Sequence, residues 1–577
     1  MKKTIFILMA LLNALFSSAQ PLSQKYLQNK TVTYDEAIAF YKQLAARYPK
    51  AKLLEYGNTD IGKPLYLFVI TNDGDFNPES IRKKNKRILF INNGIHPGEP
   101  CGIDACLGFS ADVLADKKLT ALLQNVVIAI IPVYNIDGSL NRSCCSRANQ
   151  NGPDEYGFRG NYQNLDLNRD FIKCDSENAK SFTKIFRQWQ PEIFLDTHIS
   201  DGADYQYTMT LIATQQNKLN PILATCMNEK LLPALYKNMK QKNWDMCPYV
   251  DSRGETPESG ITGFLETPRY GSGYAALFNT IGLISESHML KPYPEQVKAT
   301  RALIDVLFEA VATNYEAIGI AKKQADAFCA NEQKSFSIQW ALDTTKFDVM
   351  DFKGYESAHK KSNVTGLDRL YYDRNKPFTK AINYYNYYTA TLAISKPYCY
   401  IVPQSWHKAI ELLKNNKIKM ESLKRDTTIT VECTYITDYK SPQKPYEGHY
   451  LHSKVAVKKN NQAVRFYKGD YLIICNQATN RYIVEMLEPQ AIDSYFAWNV
   501  FDACLQQKEW FSDYVFEEMA EEILKQNPAI KDSLANYVAT NKFEKNGWEQ
   551  LAFIYKNSEY FEKSALRYPV FRVNEKP

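Results

Sequence analysis

The chain predicts an α/β fold with a mainly parallel central sheet, followed by a C-terminal mixed α+β domain. Three observations carry that expectation. Strand-length apolar runs alternate with amphipathic helical stretches as far as Ala321, the pattern of an α/β layer structure. One run, Val126-Val127-Ile128-Ala129-Ile130-Ile131-Pro132-Val133, is continuous and β-branched, as expected of a strand covered on both faces. At 577 residues the chain exceeds the size at which one core stops growing, and its composition turns polar between Lys322 and Lys334, where a second domain is expected to begin. The expected organisation is a signal peptide over 1–19, a catalytic domain over 20–330 and an accessory domain over 331–577.

The first element is the leader. Lys2 and Lys3 precede an apolar run from Ile5 to Phe16 and then Ser17-Ser18-Ala19, the form of a secretory signal cleaved near Ala19. A permanent anchor needs ~20 apolar residues, more than this run supplies. Export to a periplasmic or secreted location follows, with no membrane span expected in the mature chain.

Thr33-Tyr34-Asp35-Glu36 has the form of a capping box, and Ala37, Phe40, Tyr41, Leu44 and Tyr48 keep one helical face apolar up to Pro49. Strands are expected at Leu65–Ile70 and Ile88–Ile91, then a helix from about Gly102 to Leu114 and the buried strand at Val126. The polar stretch from Tyr134 to Asp170 is long enough to suggest function. Beyond it come a helix from Ser176 to Trp189, a strand over Ile193–Asp196, a helix from Pro221 to Lys240, a strand over Gly282–Glu286 and a long helix from Pro294 to Ala321. In the second domain Thr428–Tyr435 alternates like a half-buried strand, and Trp406–Leu413 and Asp513–Lys525 read as helices.

Bulk properties exclude some functions. The formal net charge of +6 is small for this length, and two of those charges are Lys2 and Lys3. The one dense basic run, Arg82-Lys83-Lys84-Asn85-Lys86-Arg87, reads as a solvated loop before a strand rather than a nucleic-acid patch. Twelve cysteines show no regular framework, and the adjacent Cys144 and Cys145 are not expected to bridge, because neighbours in sequence make strained disulfides.

Chemistry concentrates where apolar strands end. His96 and Glu99 lie on the turn Asn93-Gly94-Ile95-His96-Pro97-Gly98-Glu99 after one strand, and His198 ends the run Phe194-Leu195-Asp196-Thr197. Two histidines and a glutamate form an established catalytic zinc set, and open α/β sheets bind ligands beyond the carboxyl ends of their strands. Glu286, at another strand end, can act as a base. Arg159 and Arg169 can supply cations, since a guanidinium grips a carboxylate in bidentate fashion. His288, two residues beyond Glu286, is a weaker candidate for a partner to the base or substrate. His449 and His452 are expected on the surface.

The ordered set His96-x-x-Glu99, Asn135-x-Asp137-Gly138, Asp166-x-Asn168-Arg169, His198 and Glu286 resembles the zinc carboxypeptidases of the M14 (funnelin) family. The upstream segment Gly57-Asn58-Thr59-Asp60-Ile61-Gly62-Lys63-Pro64-Leu65 also resembles that family's entry segment, and the likeness spans roughly residues 33–321. The resemblance implies a carboxypeptidase-like mixed central sheet flanked by helices. It implies one zinc ion held by His96, Glu99 and His198, with Asp166 orienting His96. Asn168 and Arg169 would bind the terminal carboxylate of a peptide, and Arg159, with Arg147 as its rival, would polarise the scissile carbonyl. Glu286 would act as general base on a zinc-activated water. Tyr270, in competition with Tyr274, would contact substrate from a loop. The implied activity is that of an exported metallocarboxypeptidase. A zinc amidohydrolase acting on cell-wall peptides or N-acyl amino acids stays open as an alternative, as does a non-catalytic peptide-binding protein. The aromatic-rich stretch from Tyr495 to Tyr514, with Trp498 and Trp510, is expected to bring the second domain over the substrate groove.

Overall fold

Eight strands form a mixed sheet at the centre of the molecule, in the spatial order Ala51–Asn58, Pro64–Ile70, Val126–Ile131, Arg87–Asn92, Ile193–Ser200, Ile281–His288, Met209–Ala213, Met246–Pro248. In this computed structural model the described residues run from 22 to 576, so the expected signal peptide lies outside them. The four central strands, from Val126–Ile131 to Ile281–His288, are parallel. Antiparallel pairs are added on both sides, which makes the sheet mixed.

Arg87–Asn92, Val126–Ile131 and Ile193–Ser200 are buried at every position. Such strands need apolar side chains on both faces, which the continuous Ile, Val and Phe runs provide. Phe90 and Phe194 meet Phe182 and Phe186 of the helix Glu177–Trp189 edge-on. Elsewhere Phe109 of the helix Cys101–Ala115 meets Phe308 of Tyr293–Thr313. The capping box at Thr33 is formed, with both reciprocal hydrogen bonds opening the helix Tyr34–Arg47.

Two elements differ from expectation. The long helix after Pro294 breaks at Asn314, whose side chain donates to the carbonyl of Ala310 at 2.9 Å, and a second helix, Tyr315–Ala327, follows. The polar stretch 322–334 is therefore largely helical, and the next strand begins at Ser335. Cys144 and Cys145 also form a disulfide after all, at 2.08 Å, while the other ten cysteines are free.

Beyond Ser335 the chain is mixed. A six-stranded sheet contains the expected half-buried strand as part of Thr427–Lys440, a long hairpin pairs Asp348–Lys361 with Asp368–Tyr385, and the expected helices are His407–Asn415 and Asp513–Gln526. One buried apolar cluster includes residues from Val32 to Val570. Across it Phe278 stacks on Tyr482 at 5.1 Å, and Arg187 and Tyr274 both bond Asn416. Among the described residues no helix is long and apolar enough to cross a membrane.

Candidate metal centre and substrate cleft

The ends of three parallel strands converge on a cleft of about 280 Å³ lined by His96, Glu99, Arg147, Arg159, Asn168, Arg169, His198, Tyr270 and Glu286. The turn after Arg87–Asn92 brings His96 and Glu99 to it. Gly94 takes φ +66°, which a side chain resists. A Cβ on Gly98 would come within 2.6 Å of Arg147 Cδ, so the bare backbone there lets Arg147 lie across the turn and pair with Glu99 Oε1 at 2.9 Å.

His96 Nδ1 lies 3.2 Å from Glu99 Oε1, and His198 Nδ1 lies 3.1 Å from Oε2 of the same carboxylate. One donor atom from each of the three side chains falls within 4.8 Å of the others, and all three residues are buried. His96 Nδ1 is sealed from water and makes no hydrogen bond among the described residues. An orphaned imidazole nitrogen facing a carboxylate oxygen is an arrangement that a cation would relieve, and two imidazoles with one carboxylate suit zinc. The far nitrogens face carboxylates, as those of metal-bound imidazoles usually do: His96 Nε2 hydrogen-bonds Asp166 Oδ1 at 3.0 Å, and His198 Nε2 lies 3.2 Å from Asp196 Oδ2 without hydrogen-bond geometry.

Electrostatics follow from this crowding. Burial works against charge on Glu99, but His96 and Arg147 hold its carboxyl well below the usual range. Burial likewise opposes charge on His198, and Asp196 with Glu99 holds its imidazole well above the ordinary value. Asp166 is buried too, and His96, Arg159 and Arg169 keep it far below the carboxylate range. Burial pushes the Glu286 carboxyl up to about 8; His198 pulls against this, and Glu99 and Asp196 add to it.

The polar segment supplies the rest. Asp166 caps the short turn Leu167–Arg169 by accepting from Asn168 N. Arg159 donates from Nε to Asp166 Oδ2 at 3.0 Å and lies 3.5 Å from Glu99. Arg169 stacks over the Tyr270 ring at 4.4 Å. Arg147 and Arg159 thus both reach Glu99, whereas the two tyrosines separate: Tyr270 lines the cleft, and Tyr274 is fully buried with its hydroxyl donating to Asn416.

Residues 37–222 match the family model described as zinc carboxypeptidase, Peptidase M14. That segment is a zinc carboxypeptidase domain of the M14 family. The chain is 22% identical over 436 residues to carboxypeptidase 2 of Trichophyton equinum, covering 72% of this chain and 74% of that protein. It is 21% identical over 455 residues to carboxypeptidase 2 of Trichophyton rubrum, covering 75% and 77%. Among solved structures it is similar to a metallo-carboxypeptidase from Pseudomonas aeruginosa, with 13% identity, 50% and 70% coverage and a TM-score of 0.37. It is likewise similar to carboxypeptidase A from Helicoverpa armigera, with 14% identity, 52% and 81% coverage and a TM-score of 0.37.

Several residues around this carboxypeptidase's cleft stand elsewhere than the sequence suggested, or were not singled out from it. His288 is fully buried and stacks on Tyr205 at 4.1 Å, away from the cleft lining. His452 is not a surface residue but is buried between Ser441 and Asp502, whereas His449 is half-exposed and pairs with Asp175 at 2.7 Å. Trp498 is fully buried beneath Tyr446, and Trp510 packs instead on Phe511 and Trp548. Asp196 had a legible signal, standing two residues before His198 and so on the same strand face. Tyr446 and Glu447, which reach Arg169 and Asp166, had none.

Proposed function

We propose that this enzyme removes the C-terminal residue of peptides, using one zinc ion held by His96, Glu99 and His198. The observation that carries the reading is the convergence of three buried donor atoms beside Glu286, in the same cleft that Asn168 and Arg169 line. What zinc supplies when bound is Lewis acidity toward a water molecule and the scissile carbonyl.

The chain's own groups do the rest. Asp166 and Asp196 hold the two imidazoles in the orientation that presents Nδ1. Glu286, a half-buried group whose raised proton affinity makes its carboxylate a stronger base, takes a proton from the attacking water and passes it to the leaving amine. Arg159 faces the developing oxyanion, where a fixed positive charge counts most. Asn168 and Arg169 grip the terminal carboxylate of the substrate, and Tyr270 closes beside it. Ile212, Phe264 and Ile284 also line the cleft, which favours an apolar C-terminal side chain. The reacting groups all come from residues 96–286, which supports a catalytic part within 20–330 and an accessory role for 331–577. The leader-like residues 2–19 support export.

The test is mass spectrometry of a mixed peptide pool incubated with the protein, with and without a zinc chelator. C-terminal truncation ladders that vanish with chelator and spare amidated peptides are expected; an unchanged pool would overturn the reading.

A further inference from the structure

The connection between the strands Thr427–Lys440 and Ser453–Phe466 leaves its own sheet and ends against the cleft. Its tip is a tight turn: Tyr446 N donates to the His449 carbonyl at 2.7 Å, and His449 N donates back at 3.0 Å. Glu447 and Gly448 take φ of +50° and +79°, as a two-residue turn with both central residues left-handed requires. Glycine suits that conformation. Glutamate does not, so Glu447 is held there by what its side chain touches.

Those contacts point at the substrate site. Glu447 Oε2 accepts from the backbone N–H of Asp166 at 2.8 Å, and the Tyr446 hydroxyl accepts from Arg169 Nε at 2.9 Å. Arg169 Nη1 donates to the Asn168 carbonyl at 2.8 Å. With Nε and one Nη1 hydrogen engaged, Nη1 also 3.9 Å from Asp166 Oδ2 and one face on Tyr270, the guanidinium keeps its Nη2 N–H groups for a ligand in the cleft. The tip is itself well founded. Tyr446 stacks on the buried Trp498, Arg269 lies over both rings while pairing with Asp493 at 2.7 Å, and His449 is bound to Asp175.

We infer that Tyr446 and Glu447 are positioning residues: they hold Arg169 and the Asp166 turn in the orientation that receives the substrate carboxylate, so a hairpin from the C-terminal sheet completes the substrate site. The inference rests on the assignment of Arg169 to that carboxylate. A flexible arginine loses rotamer freedom on gripping a ligand, and fixing it beforehand removes that cost from binding.

The test uses the full chain loaded with zinc and an N-acylated dipeptide ending in phenylalanine, and compares Tyr446→Phe, Arg169→Ala and the double variant. Loss of one hydrogen bond is expected to raise KM about five-fold in Tyr446→Phe, with kcat within about two-fold and zinc content unchanged. In the Arg169→Ala background the same change should add nothing to KM, since the two act as one unit. Glu447→Ala should also raise KM, and Glu447→Gln, which keeps an acceptor oxygen, should restore most of the loss. A normal KM in Tyr446→Phe beside a raised KM in Arg169→Ala overturns the inference, as does an undiminished effect in the double variant. An unchanged KM in Arg169→Ala overturns the carboxylate assignment itself and the inference with it.

Discussion

His198 and Glu286 are register partners on adjacent parallel strands, so one metal-binding candidate and the candidate base are held side by side by a hydrogen-bonded ladder rather than by loops. Neighbouring strands are ~4.8 Å apart, a spacing that lets two side chains on one face act on one small molecule. Glu286→Gln keeps the shape and the ladder but loses the basic oxygen. It is expected to lower kcat by roughly 10²–10⁴-fold with zinc content unchanged by elemental analysis, and near-normal turnover would remove Glu286 from the role of base.

Asp166 and Asp196 each meet the far nitrogen of an imidazole whose near nitrogen faces Glu99. Replacing either by alanine should weaken zinc binding about 10–100-fold, read by competition with a chromogenic chelator. Asp166→Ala should be the more damaging to catalysis, because Asp166 also pairs with Arg159 and caps the turn that carries Arg169.

Zinc binding to the folded chain alone should stabilise it. At a free concentration of 100 times Kd the gain is about 2.7 kcal/mol, so chelation should lower the melting temperature measurably by calorimetry. His96→Ala should abolish the difference between the scans with and without chelator.

Cutting the chain after Ala330 would uncover apolar surface. Tyr274 and Phe278 are buried, and Tyr482 and Asn416 lie against them. Residues 22–330 alone are expected to be insoluble or to unfold at markedly lower denaturant than the full chain, each large buried side chain so exposed costing about 1.5–3 kcal/mol. A soluble fragment with an unchanged midpoint would show that the second part is dispensable for folding.

The central strands were legible because burial on both faces demands unbroken apolar runs, and Arg87–Asn92 and Val126–Ile131 have them. The edge strand Ala51–Asn58, Ala-Lys-Leu-Leu-Glu-Tyr-Gly-Asn, was not, because one side of it meets solvent and its pattern is irregular. The hairpin Asp348–Lys361 with Asp368–Tyr385 is so exposed that no apolar alternation announces it. At the cleft, residues at strand ends could be picked out one by one. Tyr270 and Tyr274 could not be separated, since the difference is where the helix Gly271–Ala276 begins: Tyr270 precedes it and stays at the cleft, and Tyr274 turns into the core. Tyr446 and Glu447 meet residues 277 and 281 positions away, and no local periodicity encodes such a pairing.

That distance along the chain has a consequence for biosynthesis. A growing polypeptide carries both imidazoles, Glu99 and Glu286 long before the turn Tyr446-Glu447-Gly448-His449 has been made, and Trp498 beneath that turn comes later still. A chain that ends before this turn therefore carries Arg169 without the Tyr446 hydroxyl that accepts from it in the complete fold.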